Sequence, residues 1–253
     1  MQDQYVGDIG DFGKYGLLRA FSGDPLRLGV VWYLFPDETD KDDGKFIGYL
    51  KNPTARDKNL SECDAELYNE LHKIVVDGKD RKIVRIQESA ILPDNTLYHD
   101  QSLSYLARES QRSRKRRRQS WLRGALAATA KADIVFVDPD NGVTEKPIQH
   151  RKNGPKYVFM DDLRLFYDRG QSVIIYHHLA RWDKADDQIR YFAKRLKERL
   201  SLPRSPWALR YRRGTTRVYF IVAQERHRDS IELRMKSFLD SQWRKQGHFE
   251  FVT

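Results

Sequence analysis

A single cysteine, Cys63, in 253 residues excludes an intramolecular disulfide and any zinc or iron–sulfur centre built on several cysteines. Long apolar runs are missing too. No stretch approaches the roughly 18 apolar residues of a membrane-spanning helix, and Met1 to Asp11 lacks the apolar centre of a secretory signal. The expectation is therefore a soluble protein of the reducing cytoplasm with no membrane partner. Internal repeats and Pro/Ser-rich linkers are also absent, and the length falls at the upper end of one domain. The domain reading is a single Rossmann-like α/β unit over 1–253, with a basic helical insertion or mobile segment at about 100–130.

What the chain does contain is aromatic and basic. Five Trp, thirteen Tyr and twelve Phe within 40 % hydrophobic residues suffice for a packed interior, while 32 % charged residues make the surface polar. Lys and Arg outnumber Asp and Glu by 46 to 36, a net charge of +10. A positive field of that size attracts polyanions, and nucleic acid, RNA or DNA, is the first partner it implies; the alternative is a surplus that serves solubility alone.

Leu17, Leu18 and Phe21 predict a short helix capped by Asp11, followed past Gly23-Asp24-Pro25 by a buried strand over 28–34. The acidic stretch from Asp37 to Gly44 reads as a loop. Leu67, Leu71, Ile74 and Val75 have helical spacing, and Lys82 to Gln87 alternates as a strand would. A polar helical pattern fills 100–130. The clearest strand is Asp133 to Asp138, stopped by Pro139, and a second apolar run covers Ser172 to Tyr176. After a helix on Ile189, Phe192, Leu196 and Leu200, two strands flank Gly214, too close for a crossover helix and hence antiparallel. A helix through Ile231 and Met235 and a strand over 249–252 end the pattern. The fold class is a mainly parallel Rossmann-like sheet with helices on both faces and a C-terminal antiparallel pair at one edge.

Ligands of such sheets bind beyond the carboxyl ends of the strands. Asp138-Pro139-Asp140-Asn141-Gly142 lies there: Pro139 stiffens the exit, Asn141-Gly142 permits a turn with positive φ, and carboxylate and amide are held on a rigid platform. A plain turn is the competing reading. Glycines at 7, 10, 13 and 16, with Asp11 and Lys14 among them, allow either close backbone approach to a ligand or tight helix packing. Asp37, after the first strand, stands where a nucleotide ribose would sit, and Glu88 ends the alternating 82–87 segment. Of His177 and His178, adjacent on a strand, at most one faces a site at that edge. The run Arg114, Lys115, Arg116, Arg117 and Arg118 offers phosphate contacts or a solvated face.

With these residues in this order, the chain resembles the bacterial single-domain methyltransferases that modify adenine N6 in large-subunit ribosomal RNA. Lys14 matches a Gly/Asn-Asp-Lys segment that helps to close the cofactor site in that family, and Asp138-Pro139 matches the start of an Asp-Pro-Pro-Tyr motif that grips the target amine. The resemblance spans most of residues 5–180. It implies a class I fold, S-adenosylmethionine as cofactor near Gly10, Asp11, Asp37 and Glu88, and methyl transfer with Asp138, Pro139, Asp140, Asn141 and Lys14 at the site. The chain departs from the family in two places. Asp140-Asn141 replaces Pro-Tyr, leaving Phe12, Tyr176 or Trp182 to stack on a flipped base, and Pro36-Asp37-Glu38 replaces a glycine-rich loop after the first strand.

Two other functions fit the same residues. A metal-dependent nuclease or phosphoryl-transfer enzyme would hold Mg²⁺ or Mn²⁺ on Asp37, Asp40, Glu88, Asp138 and Asp140, with Asp37, Asp138 and Asp140 as the core ligand set. A non-catalytic protein of a defence or toxin system would use the fold only to bind nucleic acid or a partner.

Overall fold

A computed structural model describes residues 1–37, 44–54, 57, 59–180 and 183–252. Its helices are α1 (Ile9–Phe21), α2 (Gly48–Lys51), α3 (Leu60–Cys63), α4 (Ala65–His72), α5 (Ile83–Glu88), α6 (Gln111–Ala128), α7 (Met160–Asp168), α8 (Ala185–Arg199), α9 (Glu225–Asp240) and α10 (Gln242–Lys245). The strands are β1 (Leu28–Trp32), β2 (Leu97–His99), β3 (Ile134–Asp138), β4 (Gly142–Thr144), β5 (Tyr157–Phe159), β6 (Ser172–His178), β7 (Trp207–Tyr211), β8 (Arg217–Val222) and β9 (Phe249–Val252).

Seven strands form one sheet in the order β2-β1-β3-β6-β8-β7-β9, and β4 and β5 pair in parallel beside it. The first four run parallel, β8 is reversed against β6, and β7 and β9 each reverse again. This is the α/β class that the alternating pattern predicts, with β1, β3 and β6 adjacent. Strand alternation then sorts the core into two layers. Val30, Trp32, Phe136, Ile174, Tyr176, Tyr211 and Tyr219 face α1, α4, α9 and α10, while Val31, Val135, Val137, Ile175 and Phe220 face α6, α7 and α8. No helix among the described residues is long and apolar enough to cross a membrane.

The structure corrects four local expectations. The cap of α1 is Asp8, whose Oδ1 accepts from the amides of Gly10 and Asp11 at 2.7 and 2.9 Å; Asp11 lies inside the helix. Residues 82–87 belong to helix α5, because Ile83 and Ile86, three apart, are both buried, and a six-residue segment satisfies either period. The strand between β1 and β3 along the chain is instead the short β2, which pairs outside β1; the α6 that follows it is the crossover of a β-α-β unit. Finally, the hairpin β7–β8 is not the edge of the sheet: β9 pairs outside β7.

The glycines at 10, 13 and 16 line one side of α1, three residues apart. A Cβ on Gly13 would lie 2.4 Å from Tyr211 Cζ, and one on Gly16 would lie 2.2 Å from Trp243 Cζ2. These glycines let α1 settle directly on side chains of the C-terminal third, so their work is close helix packing.

Candidate functional site

Asp138 is the last residue of β3, in register with Trp32 of β1, and shares the parity of Ile134 and Phe136. Its side chain therefore points at α1 rather than beyond the strand. There Lys14 Nζ lies 2.8 Å from Asp138 Oδ2 and 2.6 Å from Asp11 Oδ1, with all three groups buried. Tyr15 Oη donates to the other Asp11 oxygen at 3.2 Å. Burial raises both carboxyls above the ordinary range, and the Lys14 charge offsets that only in part. For Lys14 burial works against the charge, but the two carboxylates outweigh it and raise the ammonium above its usual value.

The turn after β3 holds the next groups. Asp140 is within 2.5 Å of the Met1 main-chain nitrogen and 3.9 Å of Lys156 Nζ, and it accepts from Gln2 Nε2 at 3.0 Å. The Asn141 main-chain N–H donates to the Lys156 carbonyl at 2.9 Å. Gly142 takes φ +91°, the conformation expected of the Asn-Gly turn, and a Cβ there would lie 2.5 Å from His177 Nδ1.

These groups border one cavity of about 260 Å³ at the carboxyl ends of β1, β3 and β6. Of the residues predicted for the site, Asp11, Lys14, Asp138, Pro139, Asp140, Asn141 and His178 line it; Asp8, Tyr176, Thr215 and Arg217 complete much of the wall. His177 points to the other face, as strand alternation requires. Its Nδ1 accepts from Val143 N at 3.0 Å, its ring sits 4.2 Å from Phe192, and burial depresses its pKa to about 3.

Other expected site residues lie elsewhere. Gly10 abuts the Arg217 guanidinium; Asp37 accepts from the Gln4 amide at 3.3 Å, outside the cavity wall. Glu88 is exposed at the end of α5, paired with Arg85 at 2.7 Å, because that segment is helical and carries it away from the sheet edge. Phe12 is fully buried against Tyr49 and Trp243 and cannot stack on a ligand, whereas Tyr176 borders the cavity. Asp40 and Trp182 lie outside the described residues.

The basic run divides along α6. Arg118 is buried, ion-paired with Asp162 and stacked 4.6 Å from the Phe159 centroid. Arg114 donates to the carbonyls of His150, Leu106 and Ala107, and Arg117 pairs with Glu109 at 3.0 Å. Lys115 and Arg116 are exposed and make no ion pair among the described residues. Since α6 leads from the carboxyl end of β2 back to the start of β3, its first two turns stand at the same sheet edge as the cavity.

Neither implied cofactor matches this arrangement. Asp138 and Asp11 are bridged by an ammonium and Asp140 faces another cation, so protein cations already stand where a divalent ion would, and no group of three or more His, Cys, Asp or Glu among the described residues is arranged around a metal position. S-Adenosylmethionine would need the crevice between the ends of β1 and β3. Met1 fills it: its nitrogen donates to Tyr33 O at 2.9 Å and Asp138 O at 3.3 Å, and its carbonyl accepts from Phe35 N at 2.9 Å.

The signal for Tyr176 was present as an aromatic at a strand end. Arg217 had none, since its position depends on β8 being inserted beside β6. Neither a known protein family nor a curated protein matches this chain in comparison.

Proposed function

We propose that this chain binds nucleic acid and receives an amine-bearing nucleobase of RNA or DNA in the cavity at the carboxyl edge of its sheet. One observation carries the reading: Asp138 at the end of β3 and Asn141 of the turn after it meet Tyr176 of β6 around one cavity of about 260 Å³. A carboxylate and an amide supply acceptors for an exocyclic amine, and the phenol ring supplies a stacking face. The exposed Lys115 and Arg116 at the same edge support contact with the phosphates of a longer strand. The protein's own contribution is positioning, with the Lys14 clamp fixing the Asp138 carboxylate from below.

The test is binding of a short single-stranded adenine oligonucleotide, followed by fluorescence anisotropy against the same strand with one abasic position. The reading expects a weaker abasic complex, and a loss of about tenfold in Tyr176→Ala and Asn141→Ala, since stacking one base is worth about 1–3 kcal/mol. Equal affinity for the two strands refutes it. S-Adenosylmethionine titrated calorimetrically into the free protein should release no heat; stoichiometric binding would return the cofactor to the site.

A further inference from the structure

Arg217 is a buried guanidinium in the cavity wall, only 8 % exposed, and no carboxylate lies within ion-pair distance of it among the described residues. Among the described residues its one side-chain hydrogen bond runs from Nη2 to Thr215 Oγ1 at 2.8 Å, and its Nε has no partner. Buried charges are as a rule paired, because desolvating an unpaired one costs several kcal/mol. Asp8, the N-cap of α1, favours the Arg217 charge from a distance, but it makes no ion pair with it, and its Oδ1 accepts from the Gly10 and Asp11 amides.

The surroundings hold this cation in place. The guanidinium carbon is 6.0 Å from the Tyr176 ring centroid, and a Cβ on Gly10 would fall 1.1 Å from Nη1, so the glycine leaves the space in which the fork rests on the first turn of α1. That turn is the positive end of a 13-residue helix. A second polar atom on the same face of β8, Tyr219 Oη, is likewise buried without a partner, its ring 5.9 Å from that of Tyr176. Asp8 caps the amides of that turn, so the guanidinium is the cation left at the cavity wall, with its own Nε and Tyr219 Oη as unused polar groups beside it.

We propose that Arg217 anchors an oxyanion subsite within the cavity, with Thr215 orienting its fork, and that the oxyanion is the phosphate of the bound nucleotide. The inference rests on the base-binding reading and sharpens it: the ligand unit is a nucleotide held at both its base and its phosphate. Arginine suits that role because its planar donors pair with two phosphate oxygens at once.

Calorimetry with adenosine, adenosine 5′-monophosphate and inorganic phosphate tests it. The monophosphate should bind wild-type protein at least about tenfold more tightly than adenosine, phosphate should compete with it, and in Arg217→Gln adenosine and the monophosphate should bind alike. If Arg217→Gln gives no cooperative melt, the wild-type ratio and Thr215→Val, expected to lower the preference, decide. Equal binding of adenosine and the monophosphate without competition by phosphate overturns the subsite and leaves the base reading standing. Binding of phosphate that Arg217→Gln abolishes, with no binding of adenosine, keeps the subsite and removes the base reading. Binding of none of the three removes both.

Discussion

Replacing Lys14 by Met removes the one ammonium that bridges two buried carboxylates while keeping most of the side-chain volume. Asp11 and Asp138, bonded to it at 2.6 and 2.8 Å, would be left facing each other with no cation between them. Breaking a buried ion pair by removing one partner costs about 3–5 kcal/mol. At about 2–4 °C of melting temperature per kcal/mol for a chain of this size, the fall should be about 10 °C. The effect must also depend on pH in one direction. Both carboxyls already have folded pKa values raised above their unfolded ones, so the folded state binds more protons than the unfolded state just above the unfolded pKa, and stability declines as pH rises through the folded values. Without Lys14 those folded values rise further, and the window of decline extends upward. Melting curves by circular dichroism between pH 5 and 8 should show the deficit of Lys14→Met greatest at pH 8 and shrinking on acidification, with Asp11→Asn recovering part of it. A variant that melts within 2 °C of wild type at pH 8, or whose deficit grows in acid, would refute the buried clamp.

Three further outcomes follow from other parts of the molecule. Gly13→Ala places a Cβ 2.4 Å from the Tyr211 ring, and the strain should cost about 1–3 kcal/mol in denaturant titration, where an exposed helical glycine would instead gain stability. Lys115→Gln with Arg116→Gln should flatten the slope of log affinity against log salt by about one for each phosphate that is no longer neutralised and leave the melting temperature unchanged, whereas Arg118→Gln should destabilise the fold through the orphaned Asp162. His177, with its pKa depressed to about 3, should show no titration of its ring resonances between pH 5 and 8. Because the unfolded chain takes up that proton below about 6.5 and the folded one does not, this histidine contributes a loss of stability as pH falls from 6.5 towards 3.

The parts of the fold legible in the sequence are those whose signal is local and long. The apolar runs of β1, β3 and β6 and the Gly214 hairpin are of this kind, and so is the Asn-Gly turn, whose Gly142 takes the positive φ its residues announce. Residues 82–87 mislead because a segment of six residues, part of it buried, fits two periods equally well. β2, three residues long, is too short for periodicity to register. The site divides in the same way. Asp138, Asn141 and Lys14 line the cavity where strand-end position and motif order put them, and strand parity alone says that only one of His177 and His178 can join them, not which. Arg217 is not legible in this way, because its place beside Gly10 is decided by pairing across 207 positions of chain. Nor does sequence separate Arg118, buried on Asp162, from Lys115 and Arg116 beside it, since that depends on which stripe of α6 the α7 segment covers.

The seating of α1 has a consequence for when the site comes into being. Asp11 and Lys14 are set in place by a helix whose glycine face rests on Arg217, Tyr211 and Trp243, all from the last 43 residues of the chain. During synthesis the N-terminal helix therefore emerges long before the surface it must rest on, and the clamp on Asp138 closes only when the C-terminal hairpin and the helix after it have joined the sheet. A fragment ending before residue 207 would carry every acidic residue of the cavity yet lack the means to hold them in position.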